Sequence, residues 1–189
     1  GRIDFFLENV ERVLASRHVY HEPEGRVVPG TGTLEEIVTY EPLGVIGNIS
    51  AWNYPYFVGS NVFVPALLAG NAVLYKPSEH ATLTGLAIDG MLHEAGVPAD
   101  VFITVVGRGE VGAALTDAGV DGVFFTGSYE TGVKVASAAA PQLLRTQLEL
   151  GGKDPAYVAE DVDANAVAAG LADGAFYNNG QSCCAVERI

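Results

Sequence analysis

LGVIGNISAWNYPYFVGSNVFVPALLAGNAVLYK, residues 43–76, places a segment of helical length between two short apolar runs. The runs 43–49 and 71–76 are rich in aliphatic and β-branched residues and predict two buried strands, and residues 56–68 predict the helix between them. A strand, a helix and a second strand in this order form the repeating unit of parallel sheets. The stretch therefore predicts an α/β fold.

The same alternation continues toward the C-terminus. The further predicted elements are a helix at 83–94, a strand at 101–106, a helix at 111–116, a strand at 120–125, a helix at 131–139 and a strand at 143–150. Near-continuous apolar strands that alternate with helices indicate a Rossmann-like parallel sheet with helices on both faces. Ligands of such sheets bind beyond the carboxyl ends of the strands, so the residues that follow each strand are the candidate site residues.

The pattern divides the chain into four segments. These are a helix and linker at 1–25, a hairpin around a Pro-Gly-Thr-Gly turn at 26–41, the parallel-sheet domain at 42–150, and the beginning of a second lobe at 151–189. The second lobe starts with a Gly-Pro linker, which precedes a predicted strand at 155–160 and a predicted helix at 164–177.

Composition excludes several classes of partner. The chain has 189 residues, of which 49% are hydrophobic and 17% charged, and its net charge of −13 comes from 23 acidic and 10 basic residues. Nucleic acids and anionic membranes require clustered Lys and Arg, so we expect neither as a partner. No apolar run approaches the roughly 20 residues of a membrane span. Two cysteines without a disulfide framework fit a reducing compartment, and we expect a cytoplasmic protein.

Polar residues follow the first two predicted strands. Asn53 lies just past the first strand, where its amide can donate to an oxyanion or can simply cap the next helix. Lys76 ends the second strand and can reach ribose hydroxyls or a phosphate. Glu79 is of the type that binds a ribose 2′-hydroxyl, which favours NAD over NADP. The alternative is a surface lysine beside a helix start at Ser78.

Further candidates follow the later strands. Gly127 and Ser128 open a helix whose free backbone N–H groups can hold a pyrophosphate, although this turn is a weak signal by itself. Gly109, after the third strand, is a weaker signal of the same kind. Glu149 is a lone carboxylate at the end of an apolar strand, where partial burial would make it a usable general base. A salt-bridged glutamate at a strand end is the alternative.

The segment NNGQSCCA, residues 178–185, holds both cysteines of the chain and is called the cysteine loop below. A disulfide between the neighbours Cys183 and Cys184 would close only a small strained ring and would join no other part of the chain. We therefore expect one of the two to be a nucleophile and the other a bystander.

Together these segments resemble the aldehyde dehydrogenase family, in the family's order and at its spacings. The matching segments are AWNYP (51–55), LLAGNAVLYKPSE (67–79), FFTGSYETG (124–132), LELGGKDP (148–155) and FYNNGQSCCA (176–185). The resemblance covers essentially the whole chain. It implies an NAD-binding domain at 42–150, an oligomerisation-arm hairpin at 26–41 and the beginning of a catalytic domain at 151–189.

The resemblance also implies a role for each candidate residue. Cys183, the third residue after Gly180, corresponds to the nucleophile, and Cys184 to the bystander. Asn53 and the backbone N–H of Cys183 resemble an oxyanion hole, and Glu149 resembles the base that activates water. The implied cofactor residues are Lys76 and Glu79 at the adenosine ribose, Ser128 at the pyrophosphate, and Ile49, Ser50, Trp52, Ser78, Gly109, Phe125, Gly127, Leu150 and Gly151 around them.

The implied function is oxidation of a small-molecule aldehyde to a carboxylic acid with NAD+, with NADP+ as the other cofactor to consider. The reaction would pass through a thiohemiacetal and a thioester at Cys183, and water activated by Glu149 would hydrolyse the thioester. The resemblance also implies a homo-oligomer, either a dimer or a tetramer. Because the chain begins at Gly1 without an initiator Met and ends in an opening strand, we expect an internal fragment that is not fully active by itself.

Three alternatives stay open. The first is a CoA-acylating relative, in which CoA takes the acyl group, and Glu149 argues against it because such relatives usually lack the base. The second is a non-catalytic dinucleotide-binding relict, against which the intact Cys183, Glu149 and Asn53 argue. The third is a metal site, where we expect a solvated polar loop and no metal; its residues would be His18, His21, Glu22 and Glu24.

Overall fold

The computed structural model describes residues 1–23 and 32–189, which form one five-stranded sheet and two two-stranded sheets. The helices and strands in chain order are α1 (Arg2–Leu14), β1 (Arg17–Glu22), β2 (Leu34–Val38), β3 (Val45–Ile49), α2 (Phe57–Leu68), β4 (Ala72–Lys76), α3 (Thr82–Glu94), β5 (Phe102–Thr104), α4 (Gly109–Asp117), β6 (Gly122–Gly127), α5 (Tyr129–Ala139), β7 (Arg145–Leu150), β8 (Asp154–Pro155), α6 (Ala164–Phe176) and β9 (Val186–Arg188). Among the described residues, every helix is too short or too polar to cross a bilayer.

The central sheet has the strand order β5-β4-β3-β6-β7, and every pairing in it is parallel. The chain starts at the central strand β3, builds outward through β4 to β5, and then returns to the other side of β3 with β6 and β7. The strand order therefore reverses between β3 and β6, which is where doubly wound sheets bind their ligands. This arrangement confirms the predicted α/β fold with a Rossmann-like parallel sheet.

Two apolar clusters cover the two faces of this sheet. One is built with residues of α2 and α3, the other with residues of α4 and α5. The buried members are Ile46, Phe63, Val73, Tyr75, Ile88 and Phe102 in the first cluster, and Ile49, Leu115, Val120, Val123, Phe125 and Val135 in the second. Because both faces are covered, the inner strands β3, β4 and β6 must be largely apolar, and this is the pattern that their sequences show, whereas β7 carries polar and exposed residues.

Asn71 joins the start of β3 to the end of α2. Its Oδ1 accepts from the backbone N–H of Leu43 at 2.6 Å and of Gly44 at 3.0 Å, and its Nδ2 donates to the carbonyl of Ala66 at 3.0 Å. The Asn71 side chain is buried, so its polar atoms depend on these three partners. One residue therefore fixes where β3 begins beside β4.

The antiparallel hairpin differs from its prediction. β2 lies inside the predicted hairpin 26–41, but it pairs with β1, which falls in the segment predicted as a linker. Five of the six β1 residues are exposed, so β1 lacks the apolar alternation that marks a half-buried strand. Residues 24–31 lie outside the described residues, and most of the predicted turn falls there.

The second lobe begins with less strand than predicted. The strand expected at 155–160 is only β8, Asp154–Pro155, which pairs in parallel with β9. Pro155 has no N–H to offer a ladder, and the pairing shifts register between Asp154 and Pro155. The helix expected at 164–177 is present as α6, whose N-terminus is capped by Asp163.

We expect Asn71→Ala to lower the free energy of unfolding by about 2 kcal/mol, because the N–H groups of Leu43 and Gly44 lose their acceptor in a partly buried site. Urea unfolding followed by circular dichroism measures this change. Asn165→Ala, at an exposed position of α6, is the matched control and should stay within about 0.5 kcal/mol of the parent chain. Equal losses in the two variants would contradict the role given to Asn71.

Candidate active site

A cleft of about 510 Å³ lies at the carboxyl ends of β3, β4 and β6, where the strand order reverses. Its volume falls within the range of small-molecule sites. Two of its walls are helix faces on which the lining residues recur at helical spacing. These residues are Gly109, Gly112, Ala113 and Thr116 on α4, and Thr131, Lys134, Val135 and Ala138 on α5.

Most of the predicted cofactor residues line this one cleft. They are Ile49, Ser50, Trp52, Lys76, Ser78, Glu79, Gly109, Phe125, Gly127 and Ser128. Leu150 and Gly151, at the end of β7, do not line it. The Leu150 side chain packs instead toward α5, since a Cβ built on Gly132 would lie 2.6 Å from Leu150 Cδ2. The structure therefore brings together ten of the twelve predicted cofactor residues and leaves two apart.

Lys76 is a buried lysine that faces an acidic neighbour. Its Nζ donates to the carbonyl of Pro77 at 3.2 Å and lies 3.8 Å from Glu79 Oε2. Burial lowers the pKa of the Lys76 ammonium, and the carboxylates of Glu79 and Glu110 partly oppose this effect. The pair predicted from the sequence is present, with a buried cation beside a carboxylate that stays 41% exposed.

Ser128 caps α5 at the edge of the cleft. Its Oγ accepts from the backbone N–H of Thr131 at 3.3 Å and lies 3.1 Å from Thr131 Oγ1. Capping satisfies one of the unpaired N–H groups of the first helical turn and leaves others for a ligand. The N-terminal end of a helix is also the positive end of its dipole, so this turn can hold an anionic group.

The cysteine loop lies against the segment that follows β3. Asn53 Nδ2 donates to the carbonyl of Gln181 at 2.7 Å, and Asn178 Nδ2 donates to the carbonyl of Asn53 at 3.0 Å. The rings of Tyr54 and Tyr177 stack, with their centroids 6.5 Å apart and their planes 17° apart. The structure therefore brings together the strand-end asparagine and the cysteine loop, two segments that are far apart in the sequence.

Cys183 and Cys184 are both free thiols. Partial burial raises the pKa of the Cys183 thiol above its usual range, and the neighbouring Cys184 raises it further through its charge and a hydrogen bond. Cys184 Sγ also lies 3.2 Å from Ser182 Oγ. Because the thiolate is the reactive form, the raised pKa of Cys183 leaves less nucleophile at neutral pH than an unperturbed cysteine would give.

Glu149 differs from its prediction. Its side chain is exposed, and its Oε1 accepts from Gln147 Nε2 at 3.1 Å. The expected partial burial is wrong because, within residues 1–23 and 32–189, β7 pairs with β6 alone and is the edge strand of the sheet. The chain after Glu149 nevertheless approaches the cysteine loop, since a Cβ built on Gly152 would lie 3.4 Å from the Cys183 carbonyl oxygen.

Lys134 lines the cleft and was missed by the reasoning from sequence. It lies on α5 on the same helix face as Thr131, and that spacing was the available signal. The cleft is consequently rich in cations for an acidic chain. Two of the three lysines of the chain, Lys76 and Lys134, line it together with one glutamate, Glu79.

Three residues of the metal alternative, His18, His21 and Glu22, lie on β1. His21 Nδ1 lies 3.4 Å from Glu35 Oε1 on β2, so its neighbour is a carboxylate of the paired strand. Within residues 1–23 and 32–189, no group of three or more His, Cys, Asp or Glu side chains converges on a point where a metal could bind. Glu24 lies outside the described residues.

The fold and this cleft define a doubly wound α/β protein, with a cysteine loop that is bonded to Asn53, the residue after the cleft residue Trp52. The sequence model described as the aldehyde dehydrogenase family matches residues 6–189. The chain belongs to this family.

Individual relatives agree with this assignment. The chain is 45% identical over 159 residues to aminoaldehyde dehydrogenase 2, peroxisomal, of Pisum sativum, in an alignment that covers 83% of this chain and 32% of that protein. It is 42% identical to a Mycobacterium bovis protein whose name includes succinate-semialdehyde dehydrogenase and NADP(+), covering 86% of this chain and 31% of that one. A solved structure of lactaldehyde dehydrogenase matches with a TM-score of 0.87 at 34% identity, covering 98% of this chain and 38% of that one. The chain thus spans about a third of the length of the curated relatives it matches.

We expect Lys76→Met to leave the chain as stable as the parent or more stable by about 1 kcal/mol at neutral pH, because a desolvated ammonium is replaced by an apolar side chain of similar length. Burial lowers the folded-state pKa of Lys76 below the unfolded value of about 10.5, so the unfolded chain binds the proton more tightly. The cost of burying this charge is therefore fully present below the folded-state pKa and disappears as the pH rises toward the unfolded value.

Urea unfolding at neutral pH and near pH 10.5 measures this difference. The advantage of Lys76→Met should shrink at the higher pH. Lys153→Met removes an exposed lysine that pairs with Glu187, and as the matched control it should not gain stability at neutral pH. A Lys76→Met variant that is clearly less stable than the parent at neutral pH would contradict the expectation.

Proposed function

We propose that the protein oxidises a small-molecule aldehyde to a carboxylic acid with NAD+, with Cys183 as the nucleophile. The observation that carries this proposal is the 2.7 Å hydrogen bond from Asn53 Nδ2 to the Gln181 carbonyl, which joins the cysteine loop to the segment that lines the cleft through Trp52. A nucleophile, an amide donor and a cavity of ligand size at one place are what this reaction requires.

The cleft suits a nicotinamide dinucleotide. Lys76 and Glu79 offer a donor and an acceptor for the hydroxyls of a ribose, and the first turn of α5, with Ser128 at its cap, offers backbone N–H groups to a pyrophosphate. Ile49 and Phe125 contribute apolar surface to the same cleft. When bound there, NAD+ would supply the hydride acceptor for the oxidation.

The protein's own residues would carry the carbonyl chemistry. The Cys183 thiolate forms a C–S bond to the aldehyde carbon, and the carbonyl π electrons move to the oxygen. The Asn53 amide nitrogen has two hydrogens and uses one for Gln181, so the second, together with the Cys183 backbone N–H, can donate to the new oxyanion. After oxidation, water hydrolyses the Cys183 thioester, Glu149 takes the proton of that water, and the thiol is released.

Two features support slow turnover by these 189 residues alone. The raised pKa of Cys183 reduces the fraction of thiolate at neutral pH, and the exposed Glu149 lacks the burial that would favour it as a base. Formation of the thioester involves Cys183, Asn53 and the cleft but not Glu149. It is the step to measure in this chain.

The choice between NAD+ and NADP+ depends on charges at the ribose end of the cleft. The Glu79 carboxylate supports NAD+, because it can accept from a ribose hydroxyl and repels a phosphate in the same place. Lys134 supports use of NADP+ as a second cofactor, because it adds a cation to the same cleft. The NADP(+) in the name of the Mycobacterium bovis relative is in keeping with this second use.

We also propose that the β1–β2 hairpin is part of an oligomerisation arm. It presents apolar side chains to solvent, among them Val19 at 53% and Ile37 at 47% exposure. Exposed apolar residues on a two-stranded sheet are stabilised when a second sheet or subunit covers them.

The two free cysteines fit a reducing compartment, which supports a cytoplasmic location.

We expect Cys183→Ser to abolish single-turnover oxidation and Cys184→Ser to retain it. The folded chain is mixed with a small aldehyde and NAD+, NADH is followed by absorbance, and the acyl group is mapped by mass spectrometry. One acyl group on Cys183 per NADH formed is the expected result, and an acyl group on Cys184 would contradict the assignment.

A second reaction with CoA separates the alternatives, since the proposed hydrolysis gives free acid, whereas acyl-CoA would indicate the CoA-acylating reaction.

We expect NAD+ to quench the fluorescence of Trp52, the single tryptophan, which lines the cleft. Glu79→Gln should weaken NAD+ binding about tenfold, since it removes a charged acceptor of a ribose hydroxyl. Lys134→Gln should weaken NADP+ more than NAD+, and Lys153→Gln, outside the cleft, should change neither. Identical affinities in the parent, Glu79→Gln and Lys134→Gln would contradict the proposed cofactor contacts.

A further inference from the structure

The cysteine loop begins with an unusual backbone. After α6 ends, Asn178 has φ 51° and ψ 38°, Asn179 has φ 57° and ψ 31°, and Gly180 has φ 74°. Three residues in a row thus adopt the left-handed conformation, which is sterically disfavoured for residues with a Cβ. Asparagine tolerates it better than most residues because its short amide can bond locally. Such a backbone persists only where the surrounding structure holds it.

A closed set of hydrogen bonds holds this turn. Asn178 Nδ2 donates to the Asn53 carbonyl at 3.0 Å, and Asn53 Nδ2 donates to the Gln181 carbonyl at 2.7 Å. Gln181 then returns to Asn178, because both its backbone N–H at 3.1 Å and its Nε2 at 3.0 Å donate to the Asn178 carbonyl. Each of the three residues is bonded to the other two. The ring spans 125 residues of sequence between Asn53 and Asn178.

This ring determines where the nucleophile lies. Gln181 is bonded on both sides, and Cys183 follows it closely, so the Cys183 sulfur and backbone N–H are placed relative to the Asn53 amide. The left-handed backbone of Asn178 directs its side chain back to the segment after β3, where the acceptor carbonyl lies. Asn179 shares the backbone conformation, but its side chain makes no hydrogen bond to another described residue, so of these two asparagines only Asn178 bonds to the segment after β3.

We propose that Asn178 is a positioning residue, which uses its left-handed backbone and its side-chain amide to hold the cysteine loop against Asn53 at the rim of the cleft. The inference rests on the nucleophilic role proposed for Cys183. Asn178 touches neither the cleft nor the sulfur, so its effect is on the exposure and orientation of Cys183.

The alkylation rate of Cys183 as a function of pH tests this proposal. The parent for the comparison is the Cys184→Ser chain, so that iodoacetamide reports on one thiol; Cys184 is the titratable neighbour that raises the pKa of Cys183 among the described residues. Asn178→Gly keeps the permitted positive φ and removes the amide. Asn179→Gly makes the same change one residue later and is the matched control.

Cys183 is an exposed residue, yet the desolvation that the folded loop retains is still the largest cause of its raised pKa, so a released loop should hydrate the thiol further and lower that pKa toward its usual range. We expect Asn178→Gly to shift the alkylation midpoint to lower pH and to raise the rate at neutral pH about threefold or more. Asn179→Gly should match the parent. Affinity for NAD+, measured by Trp52 fluorescence, should stay within about twofold in both variants, because the cleft is unchanged.

Matching pH profiles for Asn178→Gly and Asn179→Gly would overturn the proposal. Loss of NAD+ affinity in Asn178→Gly would also overturn it, because such a loss would indicate a general structural role for Asn178. Asn178→Ala removes the donor without adding a charge, and it should reproduce the Asn178→Gly shift if the latter chain does not fold. If the parent fails to bind NAD+, that result contradicts the cofactor part of the proposed function. The alkylation comparison still decides the role of Asn178, because alkylation needs no cofactor.

Discussion

The central position of β3 is the constraint on which the rest of this structure depends. β3 pairs with β4 on one side and β6 on the other, and both its faces are covered by helices. The ends of three neighbouring strands therefore meet at one edge, and the connections leave that edge in opposite directions. This divergence opens the cleft. Asn71 fixes the start of β3 and hence its register relative to β4.

The same strand end also receives the second lobe. The segment after Ile49 contributes Ser50 and Trp52 to the cleft and bonds through Asn53 to the cysteine loop, so one short connection joins the cleft to that loop. The contact is polar and directional, being made by amide hydrogen bonds and one stacked pair of tyrosines. Polar contacts of this kind specify orientation more than they add stability, which suits a junction between two lobes.

The cleft is more positively charged than the chain as a whole. A protein with a net charge of −13 places two of its three lysines there, and one of them, Lys76, is buried. Burying an ammonium destabilises the folded state, so stability does not explain why Lys76 stands at this position. The anionic dinucleotide that we propose as the ligand of the cleft would pair with this ammonium.

The sequence by itself determined the order and type of the central strands and helices, because strands buried on both faces must be apolar and the helices between them follow a different period. It also determined which residues stand at the strand ends, and ten of the twelve cofactor residues predicted from those positions and from the family resemblance line the cleft. Only the tertiary structure decided which side chains meet. It exposes Glu149 on an edge strand, turns Leu150 toward α5, brings Lys134 into the cleft, and pairs β2 with β1. The physical reason is that periodicity gives the face a side chain occupies, whereas contacts such as that between Asn53 and Asn178, 125 residues apart, depend on packing that no local pattern encodes.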